Sequence, residues 1–190
     1  LCHIYVHKDA DLEKAIDICM NAKTQRPGVC NAMETLLVHE DIAEDFLPRI
    51  LAKLDSEGVE IRGCALTKGL FSKSISANLG DYYTEYLDKV LSVKVLPTLE
   101  KAISHIQEHG TNHTEAILAK DPKAIDTFKK RVDASCIVVN ASTRFNDGGE
   151  LGLGAELGIA TTKLHSYGPM GAREITTTRF VVKGEGHIRA

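Results

Sequence analysis

Short apolar runs alternate with amphipathic segments along most of the chain. The runs TLLVH (35–39), TEAILAK (114–120) and CIVVN (136–140) are nearly continuous in apolar residues, as strands that are buried on both faces are. Between such runs apolar residues recur at helical spacing, for example from Leu12 to Ala22. Strands that alternate with helices over short connections predict βαβ units. We therefore expect an α/β fold with a mostly parallel sheet flanked by helices.

The same pattern predicts where most elements lie. Strands are expected at 1–6, 35–39, 59–63, 91–97, 114–120, 136–140 and 176–184. Helices are expected after a cap at Asp9 or Asp11, at 42–57, at 98–109 and from Pro122 to about Val132, with a short helical turn through Cys30. Residues 68–90 have no clear pattern. Residues 141–175 are rich in Gly, Ser, Thr and charged residues, which predicts long loops around one short helix, where functional residues often lie.

The bulk composition excludes several classes of protein. With 190 residues the chain can bury the core of one domain. Its formal net charge of −3, with acids and bases interspersed, does not provide the basic surface that nucleic acids need. No apolar run is long enough to span a membrane, and residues 1–15 do not resemble a signal peptide. Because residue 1 already lies in a predicted strand, we expect the sequence to be a piece of a longer protein.

The chain has five cysteines and no CxxC pair. An odd number without paired spacing predicts neither a disulfide framework nor a structural zinc site, and we expect no metal. Reduced thiols indicate a cytoplasmic protein. Cys2, Cys19 and Cys136 lie in apolar strands or on the apolar face of a helix, so they are expected to act as small buried hydrophobic residues.

Cys30 is in a different setting. It follows Pro27-Gly28, where the backbone can turn sharply, and it lies near the start of the predicted helical turn. Unpaired N–H groups and the helix dipole at such a position favour a thiolate, and Lys23 and Arg26 would add positive potential. No histidine is adjacent in sequence. Local chemistry alone leaves open both a nucleophilic and a purely structural role.

Three long segments carry a resemblance to a known family. They are NAKTQRPGVCNAMETLLVH (21–39), AISHIQEHGTNHTEAI (102–117) and NASTRFNDGGELGLGAELGIATTKLHSYGPMG (140–171). In this order they resemble the aldehyde dehydrogenase superfamily and, within it, the γ-glutamyl phosphate reductase family, over essentially the whole chain. The resemblance implies a cysteine-bearing catalytic domain at 1–175, a C-terminal strand for oligomerisation at 176–190 and a preceding cofactor-binding domain that this sequence lacks. Gly28 stands where family members often carry serine, a change that a turn tolerates.

The resemblance also implies a reaction. The family reduces L-glutamyl 5-phosphate to L-glutamate 5-semialdehyde with NADPH and releases phosphate, the second step of proline biosynthesis. Cys30 would be the catalytic nucleophile, because a thiolate can expel phosphate and leave a thioester that accepts hydride. Glu85 resembles the glutamate that contacts the nicotinamide ribose, while most of the NADPH site would lie in the missing half. The expected partners are the small-molecule substrate, further copies of the chain and, functionally, glutamate 5-kinase.

Several residues are candidates for binding the substrate. Arg144 is the first choice for the α-carboxylate, because a guanidinium binds carboxylate in a bidentate manner. Arg26 is a candidate for the phosphate, and Asp147 or Glu150 for the ammonium group. Asn140 ends a strand and could bond across the substrate loop. The alternative for the charged residues is a solvated loop position, and for Asn140 a strand-end cap.

Two other functions remain open at this stage. One keeps the superfamily but oxidises an aldehyde to an acid, which needs a base that activates water. The other is a structural or oligomerisation module without turnover, since a chain that lacks a cofactor domain is expected to be inactive alone. His113 lies within the second segment, where a structural role is expected.

Overall fold

The computed structural model describes residues 1–190, and its centre is a parallel sheet of seven strands. The strands are β1 (Cys2–Val6), β2 (Thr35–His39), β3 (Glu60–Gly63), β4 (Ile75–Ser76), β5 (Val90–Leu96), β6 (Thr114–Leu118) and β7 (Cys136–Val139). Their spatial order is β4-β3-β5-β2-β1-β6-β7, and every pairing is parallel. The predicted α/β fold with a parallel sheet is therefore confirmed.

Helices cover both faces of this sheet. They are α1 (Leu12–Thr24), α2 (Glu40–Ser56), α3 (Ala65–Leu70), α4 (Leu99–His109) and α5 (Pro122–Arg131). Side chains of a strand alternate between faces, so Ile4 and Val6 pack with α1 and α2, whereas Tyr5 packs with α4 and α5. No helix has the combination of length and apolar character that crossing a membrane requires.

The helix ends follow the sequence signals. Of the two candidate caps, Asp11 is the one that caps α1, where its side chain accepts from the Lys14 N–H at 3.3 Å. Gly58 ends α2 with a φ of +78°, a backbone conformation that favours glycine. Pro122 occupies the first turn of α5, where a missing N–H costs nothing.

Three regions differ from the sequence prediction. Residues 68–90 include the end of α3, strand β4 and a 3₁₀ turn at Leu79–Tyr83. Residues 141–175 contain a 3₁₀ turn at Thr143–Phe145, as expected, and also a small antiparallel hairpin of β8 (Gly158–Ala160) and β9 (Gly168–Met170). The strand predicted at 176–184 is not formed. This segment alternates in a strand-like way, but no neighbouring strand pairs with its backbone, and Phe180 is 99% exposed.

Two phenylalanines allow a matched test of the core. Phe46 of α2 is completely buried, whereas Phe180 of the tail is almost fully exposed. We expect Phe46→Ala to lower the free energy of unfolding by about 3–5 kcal/mol, because it removes a large side chain and leaves a cavity. Phe180→Ala should change it by less than about 0.5 kcal/mol. Urea unfolding followed by circular dichroism measures both, and equal losses would contradict this core assignment.

Candidate active site

Cys30 lies in an open pocket at the amino edge of the sheet. The pocket has a volume of about 530 Å³ and is lined by residues that come just before strands: Cys30 precedes β2, Glu85 precedes β5, and Thr111 and His113 precede β6. Glu156, from the loop before β8, closes the lining on another side. Because all strands are parallel, these pre-strand segments meet at one edge. The fold thus brings Cys30 and Glu85 together, although 55 positions separate them in the sequence.

The segment of Cys30 consists of turns and bends between α1 and β2, and not of the expected helical turn. Cys30 is half-buried, and its backbone carbonyl accepts from the buried Cys2 thiol at 3.0 Å. The Met33 N–H donates to the Ala22 carbonyl at 2.9 Å, which joins the end of α1 to the segment that leads into β2. Cys30 therefore gains nothing from a helix dipole.

The expected positive potential at Cys30 is also missing. Lys23 is fully buried, and its Nζ pairs with Glu34 Oε2 at 3.0 Å. Arg26 is exposed and makes no ion pair. Burial raises the pKa of the Cys30 thiol, and the nearby Glu156 and Glu85 carboxylates raise it further. The expectation of a thiolate favoured by its local environment is wrong for this chain, and at neutral pH Cys30 is a thiol.

Glu85 and His113 present different groups to the same pocket. Glu85 lies on an irregular segment after the 3₁₀ turn, and its carboxylate is 36% exposed. His113 is buried, its Nδ1 is 2.6 Å from Thr114 Oγ1, and its Nε2 has no protein partner. Burial lowers the pKa of His113, so its ring is neutral at pH 7. The pocket therefore holds a thiol, a neutral imidazole and two carboxylates.

The predicted substrate residues divide between three places. Arg144, Asp147 and Glu150 line a second pocket of about 360 Å³, next to α1. Arg26 lines neither this pocket nor that of Cys30. Asn140 lies at the opposite, carboxyl edge of the sheet, where its side chain bonds both the N–H and the carbonyl of Ala119 at 2.9 Å. Both the oxygen and the nitrogen of the Asn140 amide are therefore hydrogen-bonded within the protein, at the edge of the sheet opposite Cys30.

Arg144 is held by neutral groups. Its Nε donates to Gln25 Oε1 at 2.8 Å and its Nη1 donates to Asn31 Oδ1, while no carboxylate pairs with it. Asp147 lies nearby, but its Oδ1 accepts from the Gly149 and Glu150 N–H groups and so caps a turn. The guanidinium is therefore oriented beside the Cys30 segment with its charge unpaired. Such a group can bind an anion in a bidentate manner.

Comparisons with known proteins show what this chain is similar to. The sequence profile described as the aldehyde dehydrogenase family matches residues 2–60. The gamma-glutamyl phosphate reductase of Desulforapulum autotrophicum is 52% identical over 189 residues, which cover 100% of this chain and 45% of that protein. That of Carboxydothermus hydrogenoformans is 55% identical over 188 residues, covering 99% and 45%. The chain is thus similar to the aldehyde dehydrogenase family in its first third and to gamma-glutamyl phosphate reductases over its whole length.

Solved structures extend the comparison to the fold. The crystal structure of gamma-glutamyl phosphate reductase from Thermotoga maritima is 49% identical with a TM-score of 0.94, and covers 100% of this chain and 46% of that one. The reductase from Saccharomyces cerevisiae is 34% identical with a TM-score of 0.62, over 80% and 38%. The aldehyde dehydrogenase fold is thus confirmed. The chain spans less than half the length of the curated relatives it matches.

Two residues of the candidate site were not predicted from sequence. Glu156 lines the pocket of Cys30 and holds its loop by accepting from the Gly148 N–H at 2.9 Å. Asn31 is 4% exposed, donates to the Asn146 carbonyl at 3.1 Å and accepts from Arg144. Asn31, which directly follows Cys30, therefore connects the Cys30 segment to the loop that carries Arg144. The only sequence signal for Asn31 is that an amide residue directly follows the candidate nucleophile Cys30.

The raised pKa of Cys30 gives a test on this chain. Glu156→Gln removes a negative charge that raises this pKa, so the alkylation of Cys30 by iodoacetamide should begin at lower pH than in the wild type. Peptide mass spectrometry across pH 6–10 measures the rate at each cysteine separately. Glu150→Gln is the control, because Glu150 belongs to the other pocket. An unshifted profile in Glu156→Gln would contradict the electrostatic coupling.

Proposed function

We propose that this chain is the cysteine-bearing part of an NADPH-dependent reductase that converts L-glutamyl 5-phosphate to L-glutamate 5-semialdehyde. The observation that carries the proposal is the half-buried Cys30 in an open pocket, with Asn31 connecting it to the unpaired guanidinium of Arg144. The similarity to gamma-glutamyl phosphate reductases over the whole chain supports the substrate class.

The covalent step starts from the Cys30 thiol. Because this thiol has a raised pKa, it must transfer its proton as it attacks, and we assign the proton to the Glu156 carboxylate, the charge that acts most strongly on it. The sulfur then bonds to the acyl carbon, the acyl–phosphate bond breaks, and phosphate leaves with its electron pair. The product is a glutamyl thioester on Cys30. No water is consumed in this step.

NADPH, when bound, supplies the hydride that reduces this thioester. Glu85 fits a role in holding the cofactor, because its partly exposed carboxylate faces the pocket of Cys30 and can accept from ribose hydroxyl groups. The pocket also has to hold the thioester oxygen as it gains charge. A backbone N–H at Cys30 is the candidate donor from this chain. Return of the proton to sulfur frees the aldehyde and restores the thiol.

Arg144 is the proposed partner of the substrate α-carboxylate. Gln25 and Asn31 orient its guanidinium without neutralising it, so an incoming carboxylate finds no competing ion pair. Asp147 and Glu150 line the same pocket and are proposed to attract the ammonium group. Arg26 is exposed and precedes Cys30 closely in the sequence, and we propose that it guides the phosphate group of the substrate.

We also propose that the complete protein is a cytoplasmic homo-oligomer. The exposed apolar residues Phe180, Val181 and Val182 support an assembly role for the tail at 176–190. Functional association with glutamate 5-kinase would pass on the reactive acyl phosphate before water hydrolyses it.

The nucleophile is tested in the full-length protein that contains this sequence. Cys30→Ala should lower the phosphate-dependent reduction of NADP⁺ by glutamate semialdehyde by roughly 10³-fold or more, as loss of a nucleophile does. Absorbance at the nicotinamide band measures the rate. Near-wild-type turnover would contradict the thioester route. Wild-type turnover that does not require phosphate would instead favour an aldehyde-oxidising dehydrogenase.

Arg144 is tested by its effect on KM. Arg144→Ala removes a charge-assisted contact of about 1.5–3 kcal/mol, which corresponds to a rise in KM of roughly 10- to 150-fold. Arg144→Lys keeps the charge but loses the bidentate geometry, so its KM should lie between that of the wild type and that of Arg144→Ala. Arg131→Ala is the matched control and should leave KM unchanged, because it removes an exposed arginine that lines neither pocket. An unchanged KM in Arg144→Ala would exclude this residue from the substrate site.

A further inference from the structure

The segment that carries Glu85 is fixed by side chains and not by a backbone ladder. Residues 85–87 lie between the second 3₁₀-bearing region and β5, and none of their backbone groups bonds to another backbone group. The Glu85 carboxylate has one ionic neighbour, the ammonium group of Leu1 at 3.6 Å, which is too long for a hydrogen bond. The place of Glu85 in the pocket of Cys30 therefore depends on what holds the two residues that follow it.

Tyr86 is anchored to two neighbouring strands of the sheet. Its hydroxyl donates to Asp81 Oδ1 at 3.1 Å and lies 2.9 Å from Ser92 Oγ of β5. The guanidinium carbon of Arg62, in β3, lies over the Tyr86 ring at 5.1 Å from its centre. Arg62 and Ser92 lie opposite each other in the paired strands, so both contacts start from the sheet itself. The Tyr86 side chain thus connects the Glu85 segment to the sheet through its ring and through its hydroxyl.

Asp81 makes this anchor a charge-assisted one. The residue is 4% exposed, its Oδ1 accepts from Arg62 Nη1 at 2.7 Å, and its Oδ2 accepts from the Asn78 N–H at 2.7 Å. Burial opposes the carboxylate, but these donors keep the pKa of Asp81 below its usual value. Burial also raises the pKa of Tyr86, so its hydroxyl keeps its hydrogen at pH 7 and donates to an anion. Such a hydrogen bond is stronger than one between neutral groups.

Leu87 fixes the other end of the segment. Its N–H donates to Glu34 Oε1 at 3.1 Å, and its φ of +52° lies in the left-handed region, which a residue other than glycine adopts at an energetic cost. Half of Leu87 is exposed, so packing of its side chain offsets little of that cost. A Cβ on Gly28 would lie 3.4 Å from the Leu87 carbonyl, so the segment contacts the turn that leads to Cys30. Strain of this kind is typical of places where a fold holds a functional group in position.

We propose that Tyr86 is a positioning residue that acts on the cofactor through Glu85. The proposal rests on the proposed function, in which the Glu85 carboxylate holds NADPH. Tyr86 does not line the pocket of Cys30, so its influence on the cofactor passes through the residue before it. Without the Tyr86 hydroxyl, the backbone of Glu85 is held only from the Leu87 side and by ring packing. The carboxylate is then less well oriented before the cofactor arrives, and NADPH binds more weakly.

The first test asks whether Tyr86 holds the segment in the cofactor-free, full-length protein that contains this sequence. Tyr86→Phe removes one oxygen and keeps the ring beside Arg62. Hydrogen exchange of the peptide around Leu87, whose N–H donates to a buried carboxylate, should become at least about threefold faster. Tyr83→Phe is the matched control, because Tyr83 is 50% exposed on the neighbouring 3₁₀ turn, and it should leave this exchange unchanged. Unchanged exchange in Tyr86→Phe would overturn the proposal.

The second test asks whether the effect reaches the cofactor through Glu85. The Kd of NADPH is measured by nicotinamide fluorescence in the same full-length protein, without substrate. We expect Tyr86→Phe to raise this Kd about 3- to 30-fold and Tyr83→Phe to leave it unchanged. In a Glu85→Ala background Tyr86→Phe should raise it no further, because the residue through which it acts is gone.

Two results of this binding cycle would overturn the proposal. One is an unchanged Kd in Tyr86→Phe. The other is an equal loss of affinity with and without Glu85, which would mean that Tyr86 only supports the fold. A wild type that binds NADPH but does not reduce the glutamyl substrate would contradict the proposed reaction, and the binding cycle would still decide the role of Tyr86.

Discussion

A buried ion pair between Lys23 and Glu34 fixes the geometry on which the candidate site depends. Both side chains are almost fully excluded from water, and one Glu34 oxygen pairs with Lys23 while the other accepts from the Leu87 N–H at 3.1 Å. Burial lowers the pKa of Lys23 and raises that of Glu34, which shows the cost of placing these charges inside. A buried pair of this kind contributes little net stability. Its effect is on position. Glu34 follows Cys30 in the chain, and its carboxylate binds Lys23 near the end of α1 and the Leu87 N–H, just after Glu85, so it holds these three segments together.

The direction of the strands explains why the cysteine is a thiol. In a parallel sheet the helices start at the carboxyl edge, so their positive N-terminal ends lie there, as those of α2, α4 and α5 do. Cys30 lies at the other edge, among segments that lead into strands. There Cys30 is half-buried, and the nearby Glu85 and Glu156 carboxylates raise the pKa of its thiol. Activation therefore has to accompany the attack on the substrate, since the resting site does not stabilise the anion.

Periodicity in the sequence predicts elements well where one face of an element is buried by the chain itself. The pattern from Leu12 to Ala22 and the strand at 114–118 are examples, because core packing confirms what each pattern indicates. The segment at 176–184 has a strand-like pattern without a partner for its backbone, so its pattern alone cannot form a strand. Pattern also cannot show that Lys23 is buried against Glu34, or that Asn140 bonds to Ala119, since both contacts depend on the tertiary fold.

Arg144 illustrates how partners decide the chemistry of a charged residue. From sequence, a loop arginine and a substrate-binding arginine look alike. In the fold its two partners are amide oxygens, from Gln25 and Asn31, which orient the guanidinium and leave its charge uncompensated. The acid closest in sequence, Asp147, is occupied by backbone N–H groups of its own turn and does not pair with it. A carboxylate in either amide's place would neutralise the guanidinium, so these neutral neighbours are what keep the position available to an anionic substrate group.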